Sequence, residues 1–199
     1  MFFGAYQDAS NVYIYDDKTG FTVGPALPDT NRIHHATAAP IGVDEMFVSN
    51  IYTAYTMPIN CGEKETIFIP EDELRPNNEV WSAGTTGIVY DMEGNPKYLV
   101  LVGESSRSRV RKMDINTREW SYAPDFPIPR ARLMQSVQFG RSFVVLGGSF
   151  GSYPNFFSNN EIFMIDPDTL EWSKLNVTLG QGRHYFYAAA ISDDIVMCN

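Results

Sequence analysis

The amino-acid sequence predicts an all-β protein built from repeated small antiparallel sheets. Aromatic residues make up 14% of the 199 residues. Short aromatic or β-branched runs alternate with Gly and Pro, which is the pattern of strands separated by turns. The same order of a strand, a turn and an aromatic residue also recurs along the chain. Such repetition predicts an array of similar structural units.

The repeated frame places an Asp-x-x-Thr-type turn after a strand and before an aromatic residue. Its copies span residues 11–21, 110–120 and 161–172. Asp114 and Asp166 are 52 positions apart, and so are Trp120 and Trp172. An Asp at this position predicts a tight reversal, because its side chain accepts backbone N–H groups two residues on. The aromatic residue then opens the next strand, and we expect Trp120 and Trp172 to be largely buried between neighbouring sheets.

A second hairpin follows each copy of the frame and begins at an arginine. Arg32, Arg132 and Arg183 precede the predicted strands Ile33–Ala39, Leu133–Phe139 and His184–Ile191. A polar turn and a hydrophobic strand come next in each case. Every unit therefore contains four strands, and neighbouring units must stack, because one small sheet cannot bury both of its faces alone. The small side chains after each arginine predict that this strand is the innermost.

One of the units is degenerate. Ile67–Ile69 and Tyr98–Gly103 keep its strands, but Leu74 occupies the place of the aromatic and no Arg opens the predicted strand Gly84–Tyr90. The chain is then a single region of four repeats, at about residues 1–40, 41–90, 91–139 and 140–199.

The unit that runs from Pro129-Arg130-Ala131-Arg132 through Gly147-Gly148 to Asp166 and Trp172 resembles the kelch repeat. The resemblance implies an all-β, kelch-type β-propeller made of four-stranded antiparallel blades. Kelch propellers usually have six or so blades, so four repeats imply an incomplete ring. A fragment of a larger ring is favoured over pairing with another copy or closure as a four-bladed ring.

The resemblance also implies a non-catalytic interaction module, scaffold or adaptor that binds a protein or peptide partner. Arg32, Arg132 and Arg183 match the arginines that line the central funnel of such propellers and contact partner groups; the alternative is that they pair within the protein. The predicted loop Gly148–Asn160 carries Tyr153 and Phe156, aromatic residues suited to a partner. The alternative is that its aromatics cover the edge of a blade.

Some kelch-like propellers are enzymes, either copper-radical oxidases or sugar-modifying proteins, and this is the alternative function. A copper site needs two imidazoles on one ion, but the neighbours His34 and His35 point to opposite faces of a strand. His184 could approach one of them, although further ligands have no evident source. Cys61 has no histidine near it in the sequence, and no nucleophile motif occurs. We therefore predict no catalytic residue, no metal and no cofactor.

Charge and composition limit the remaining functions. The net charge is −9, from 15 basic and 24 acidic residues, which argues against nucleic-acid binding. No apolar run approaches the ~20 residues that span a bilayer. Having only two cysteines, Cys61 and Cys198, weakly favours a reducing compartment, whereas the single sequon Asn176-Val177-Thr178 would matter only in a secreted protein. The compartment stays open, with the cytoplasm slightly favoured.

Overall fold

The computed structural model describes residues 2–3, 12–16, 18–23, 37–49, 54–58, 67–69, 81–104, 108–152, 155–184, 186–191 and 194–198. Every regular element in these ranges is a β-strand. Every strand pairing among them is antiparallel. The prediction of an all-β fold is therefore confirmed.

The strands form sheets in chain order. Sheet 1 contains β1 (Phe2–Phe3), β2 (Val12–Asp16) and β3 (Gly20–Val23). Sheet 2 contains β4 (Thr37–Pro40), β5 (Glu45–Ser49), β6 (Ala54–Pro58) and β7 (Ile67–Ile69). Sheet 3 contains β8 (Trp81–Tyr90), β9 (Pro96–Glu104), β10 (Val110–Asp114) and β11 (Trp120–Ala123).

Sheet 4 is interrupted by an inserted hairpin. It begins with β12 (Gln135–Phe139) and β13 (Ser142–Leu146). The insertion hairpin follows, with β14 (Ser149–Ser152) and β15 (Asn155–Ser158). Sheet 4 is completed by β16 (Glu161–Ile165) and β17 (Trp172–Thr178), and the last hairpin consists of β18 (Tyr187–Ile191) and β19 (Asp194–Cys198).

Sheet 3 buries both of its faces, because successive side chains of a strand point to opposite sides. On one face, Val100 and Val102 of β9 pack in a core with Phe143 of sheet 4. On the other face, Leu99 of β9 packs in a core with Phe47 of sheet 2. A sheet that is apolar on both faces needs a neighbour on each side, so sheets 2, 3 and 4 pack face to face in chain order.

The first strands of successive sheets lie side by side, β4 against β8, β8 against β12 and β12 against β18. Side-chain hydroxyls join them: Thr37 Oγ1 lies 2.8 Å from Thr86 Oγ1, and Thr85 Oγ1 donates to Ser136 Oγ at 2.8 Å. The close approach accounts for the small residues of these strands. The arrangement is consistent with the inner strands of propeller blades.

The Asp turns have the predicted geometry in both described copies. Asp114 Oδ1 accepts the backbone N–H groups two and three residues further on, at 2.9 and 3.1 Å. Asp166 Oδ1 accepts the equivalent groups at 2.9 and 2.8 Å. The fifth residue of each turn, Arg118 or Leu170, has a φ of 63°. The two turns are therefore the same structure, whereas the side chain of Asp16 lies outside the described residues.

The sheets are offset by one strand from the predicted sequence units. Residue 40 ends β4, residue 90 ends β8 and residue 139 ends β12, so each unit boundary falls directly after the first strand of a sheet. Each of the middle units therefore supplies the second to fourth strands of one sheet and the first strand of the next. This offset links successive sheets covalently through their inner strands.

Two expectations are wrong in part. The segment Gly148–Asn160 is not a loop, since it contains the insertion hairpin. Trp120 and Trp172 are half-buried rather than largely buried. Their position between sheets is as expected: the Trp172 ring lies 5.0 Å from Phe126, which follows sheet 3, and 6.0 Å from Phe143 of sheet 4.

Candidate interaction site

The insertion hairpin presents different side chains on its two faces. Phe150 of β14 is opposite Phe157 of β15, and their ring centroids are 5.6 Å apart. The next cross-strand pair is Gly151 and Phe156, and the Phe156 side chain belongs to the other face. All four residues of β15 are exposed, with Phe156 at 43% and Phe157 at 57%. The aromatics therefore do not simply fold under the segment to cover an edge.

Arg132 lies against the Phe156 face of the hairpin. Its guanidinium carbon is 4.5 Å from the centroid of the Phe156 ring, and its Nη2 donates to the Gly151 carbonyl at 3.0 Å. Gly151 itself has a φ of 101°, and a Cβ on it would lie 2.5 Å from the Asn155 carbonyl oxygen. Backbone bonds between Arg132 and Ser149, at 2.8 and 2.9 Å, fix the approach. Two of the predicted partner-binding residues, Arg132 and Phe156, are thus brought together.

The double glycine before the hairpin lets three chain segments meet. Gly147 and Gly148 have φ values of 59° and 93°, which other residues rarely adopt. A Cβ on Gly148 would lie 2.4 Å from Met134 Cγ, and one on Gly147 would lie 2.7 Å from the Arg183 carbonyl oxygen. The Gly148 N–H donates to that same carbonyl at 2.7 Å. The double glycine therefore joins the segment before β12 to the segment before β18.

Asn159 anchors the base of the hairpin and was not among the predicted site residues. It is buried, its Nδ2 donates to the Gly147 carbonyl at 3.2 Å, and its Oδ1 accepts the Glu161 N–H at 3.1 Å. Its own carbonyl accepts the Arg183 N–H at 3.0 Å. The sequence gives little indication of this anchoring role, because Asn159 lies in a run of polar residues that is also typical of a loop.

Arg183 and His184 border the same surface. Backbone hydrogen bonds hold the half-buried Arg183 beside Gly148 and Asn159. His184 Nδ1 lies 2.8 Å from Ser158 Oγ at the end of β15. We call Arg132, the insertion hairpin and these two residues the hairpin surface.

Several predicted residues cannot be placed. Arg32, Tyr153, His34, His35 and Cys61 lie outside the described residues. Cys198 ends β19, and its side chain is likewise not described. Within the described ranges, no group of three or more His, Cys, Asp or Glu side chains is arranged to hold a metal ion.

The backbone is strained on both sides of Arg132. Arg130 and Leu133 have φ values of 58° and 57°, in the left-handed region that residues with a Cβ seldom occupy. Such strain persists only where surrounding contacts enforce it, and it concentrates at binding and active sites. Here the antiparallel bridge between Arg132 and Ser149 supplies the enforcing contacts.

The three segments that converge at the hairpin surface contain no acidic residue. The sequence has neither Asp nor Glu in residues 126–139, 147–160 and 175–192, although the whole chain carries 24 acidic residues. The same segments contain Arg130, Arg132, Arg183 and His184. The hairpin surface is therefore locally basic in a chain of net charge −9.

Asp166 and Asp168 lie at the turn after β16, at the end of that strand away from the insertion hairpin. Arg141 and Asp168 form a bidentate pair with distances of 3.1 and 2.9 Å, and this contact lowers the pKa of Asp168. The pKa of Asp166 is lowered by the N–H groups of Thr169 and Asp168 that bind its carboxylate. These carboxylates are all exposed and engaged in turns, which is a structural arrangement and not that of a catalytic acid–base pair.

No protein-family model matches this chain, and no curated protein matches it. Among the described residues there is also no helix with the length and apolarity needed to cross a membrane. Neither comparison assigns a function to the hairpin surface.

Proposed function

We propose that this chain is a kelch-type β-propeller region that acts as a non-catalytic interaction module and binds a protein or peptide partner through the hairpin surface. The contact of Arg132 with the exposed Phe156 ring carries the proposal. The kelch type is supported by the matching turns at Asp114 and Asp166 and by the double glycine at the head of the hairpin.

Exposed aromatic side chains beside half-buried arginines suit a binding surface. Aromatic residues and Arg are enriched in protein interfaces, and they dominate the residues whose truncation weakens binding. Arg132 is held in place by the Phe156 ring and the Gly151 carbonyl. A side chain that is already ordered loses less conformational entropy when a partner binds, and this favours affinity.

The local charge specifies the chemistry of the partner segment. A guanidinium donates through a planar fork that matches a carboxylate. The converging segments are free of Asp and Glu, so nothing acidic within them competes for Arg132 or Arg183. The partner segment is therefore acidic, with an apolar or aromatic residue to cover Phe156 and Phe157.

Selection from a random peptide phage library on the immobilised chain tests this function. We expect enriched peptides to carry Asp or Glu. We expect Phe156→Ala and Arg132→Gln each to weaken peptide binding at least about tenfold, the effect of losing a central contact of ~1.4 kcal/mol. Phe139→Ala and Arg118→Gln are the matched controls, because Phe139 is 51% exposed at the other end of β12 and Arg118 pairs with Glu45 at 2.5 Å.

Two results would overturn the proposal. One is that peptides bind equally well to the hairpin variants and to the controls, provided that all of them melt like the original chain. The other is stoichiometric copper in the purified protein, which would favour the copper-radical enzyme. Metal analysis by mass spectrometry measures that directly.

A further inference from the structure

The sequon Asn176-Val177-Thr178 lies at the end of the outermost strand of sheet 4. In this sheet the strand order is β12-β13-β16-β17, so among the described strands β17 pairs on one side only. Asn176, Val177 and Thr178 are all exposed, Val177 at 59%. The acceptor side chain and its recognition residue are therefore accessible on the folded protein.

The strand also bulges at the sequon. Lys174 pairs with Phe163 and Thr178 pairs with Glu161, so three residues of β17 stand opposite Ile162 alone. A bulge takes its residues out of the ladder and turns them away from the sheet. Asn176 is the middle residue of this bulge, where a bulky group on its side chain would not disturb the pairing of β16 with β17.

We propose that Asn176 is an acceptor for an N-linked glycan when the chain passes through the secretory pathway. The chemical class of the co-substrate is a lipid-linked oligosaccharide diphosphate. Asn176 Nδ2 forms a bond to the anomeric carbon of the sugar, the bond from that carbon to the diphosphate breaks, and Nδ2 gives up one proton as the lipid diphosphate leaves. The Thr178 hydroxyl is the element by which the sequon is recognised.

A glycan at this position also has a physical consequence for the sheet. An exposed outer strand invites pairing with another chain, and proteins protect such edges with bulges, charges or covering groups. The bulge and Lys174 already supply two of these devices. A bulky, solvated glycan at Asn176 adds a third and shields the apolar Val177 side chain.

For the test, the full chain is fused to a cleavable N-terminal secretion signal and expressed in a eukaryotic host. We expect intact-mass spectrometry to show a single glycan that peptide N-glycosidase removes and that is absent from Asn176→Gln and Thr178→Val. Thr178→Ser should keep the glycan, and Asn160→Gln, which changes an exposed Asn outside the sequon, should not affect it.

A second variant reports whether the glycosylation machinery has acted on the chain. Phe157→Thr turns Asn155 of the exposed strand β15 into a second acceptor. We expect two glycans on this variant. A secreted Phe157→Thr chain with a glycan at Asn155 and none at Asn176 would overturn the proposal, as would an unmodified original chain alongside it.

Discussion

Asp166 illustrates how one carboxylate closes a turn of this fold. Its Oδ1 accepts two backbone N–H groups and the Thr169 hydroxyl. Hydrogen bonds to the charged form lower the pKa of the carboxyl group, as is found for Asp166. The turn at Asp114 repeats the backbone bonds, so the two Trp-bearing hairpins reverse direction by the same means.

The lowered pKa of Asp166 predicts a pH dependence of stability. Its carboxyl group has a lower pKa in the folded than in the unfolded chain, where it is about 3.9. The stabilisation is therefore complete above that value and is lost as the pH falls through the folded pKa. We expect the difference in free energy of unfolding between the original chain and Asp166→Asn to shrink steadily as the pH falls below about 4, as measured by urea unfolding.

A control separates this effect from a general change of charge. Asp125→Asn removes an exposed carboxylate that lies outside the two Asp-x-x-Thr turns. We expect its free energy of unfolding to follow that of the original chain through the acid range. A difference between Asp166→Asn and the original chain that stayed constant with pH would contradict the role given to the carboxylate charge.

A turn can be predicted from the sequence when the residues that form its hydrogen bonds are close together in the chain. The partners of Asp114 and Asp166 lie two and three residues away, so the motif itself specifies the contact. Arg132 and Phe156 are 24 positions apart. Both were singled out as candidates, but their contact depends on the register of the insertion hairpin, which no local pattern encodes.

The positions of most strands could likewise be predicted from local patterns, whereas their pairing into sheets depends on distant residues. The aromatic and β-branched runs predicted most strands, and the double glycine marked the end of β13. The insertion hairpin was missed because its Gly, Ser and Asn residues are typical of a loop, whereas its pairing is fixed by Arg132 along one strand and by Asn159 at its base. The offset of sheets from sequence units was also hidden, because it depends on which hairpins share a sheet.

Packing between β8 and sheet 4 predicts a strict size limit at Gly87. A Cβ on this residue would lie 2.2 Å from atoms of the Phe143 ring, which is fully buried. Overpacking of this kind forces side chains and backbone to shift. We expect Gly87→Ala to lower the free energy of unfolding by about 1–3 kcal/mol, measured by urea denaturation.

Gly180→Ala is the matched control for Gly87→Ala. No heavy atom lies within 4 Å of the position that its Cβ would take, so a methyl group meets nothing there. We expect its free energy of unfolding to stay within about 0.5 kcal/mol of the original value. If Gly87→Ala were as stable as Gly180→Ala, Phe143 would not pack over β8, and the face-to-face contact of sheets 3 and 4 would be wrong.

Buried apolar, acidic and basic side chains occupy different regions of the described structure. The middle sheets hide their apolar faces against one another. Asp114, Asp166 and Asp168 lie at the Asp turns, whereas the hairpin surface is locally basic. Under the proposed function, this separation would keep the surface for an acidic partner apart from the carboxylates that close the turns.

The outermost described hairpins predict association of the chain with itself. Large apolar side chains are exposed on β3 and β18, with Phe21 at 64%, Val23 at 69% and Tyr187 at 77%. Large apolar side chains exposed on strands favour contact with a second molecule. We expect the mass measured by light scattering to rise with concentration, and we expect Phe21→Lys with Tyr187→Lys to reduce that rise. Val43→Lys is the control, because Val43 is 95% exposed in a turn. A monomer of constant mass with a cooperative melt at every concentration would contradict this prediction and would favour a ring closed within one chain.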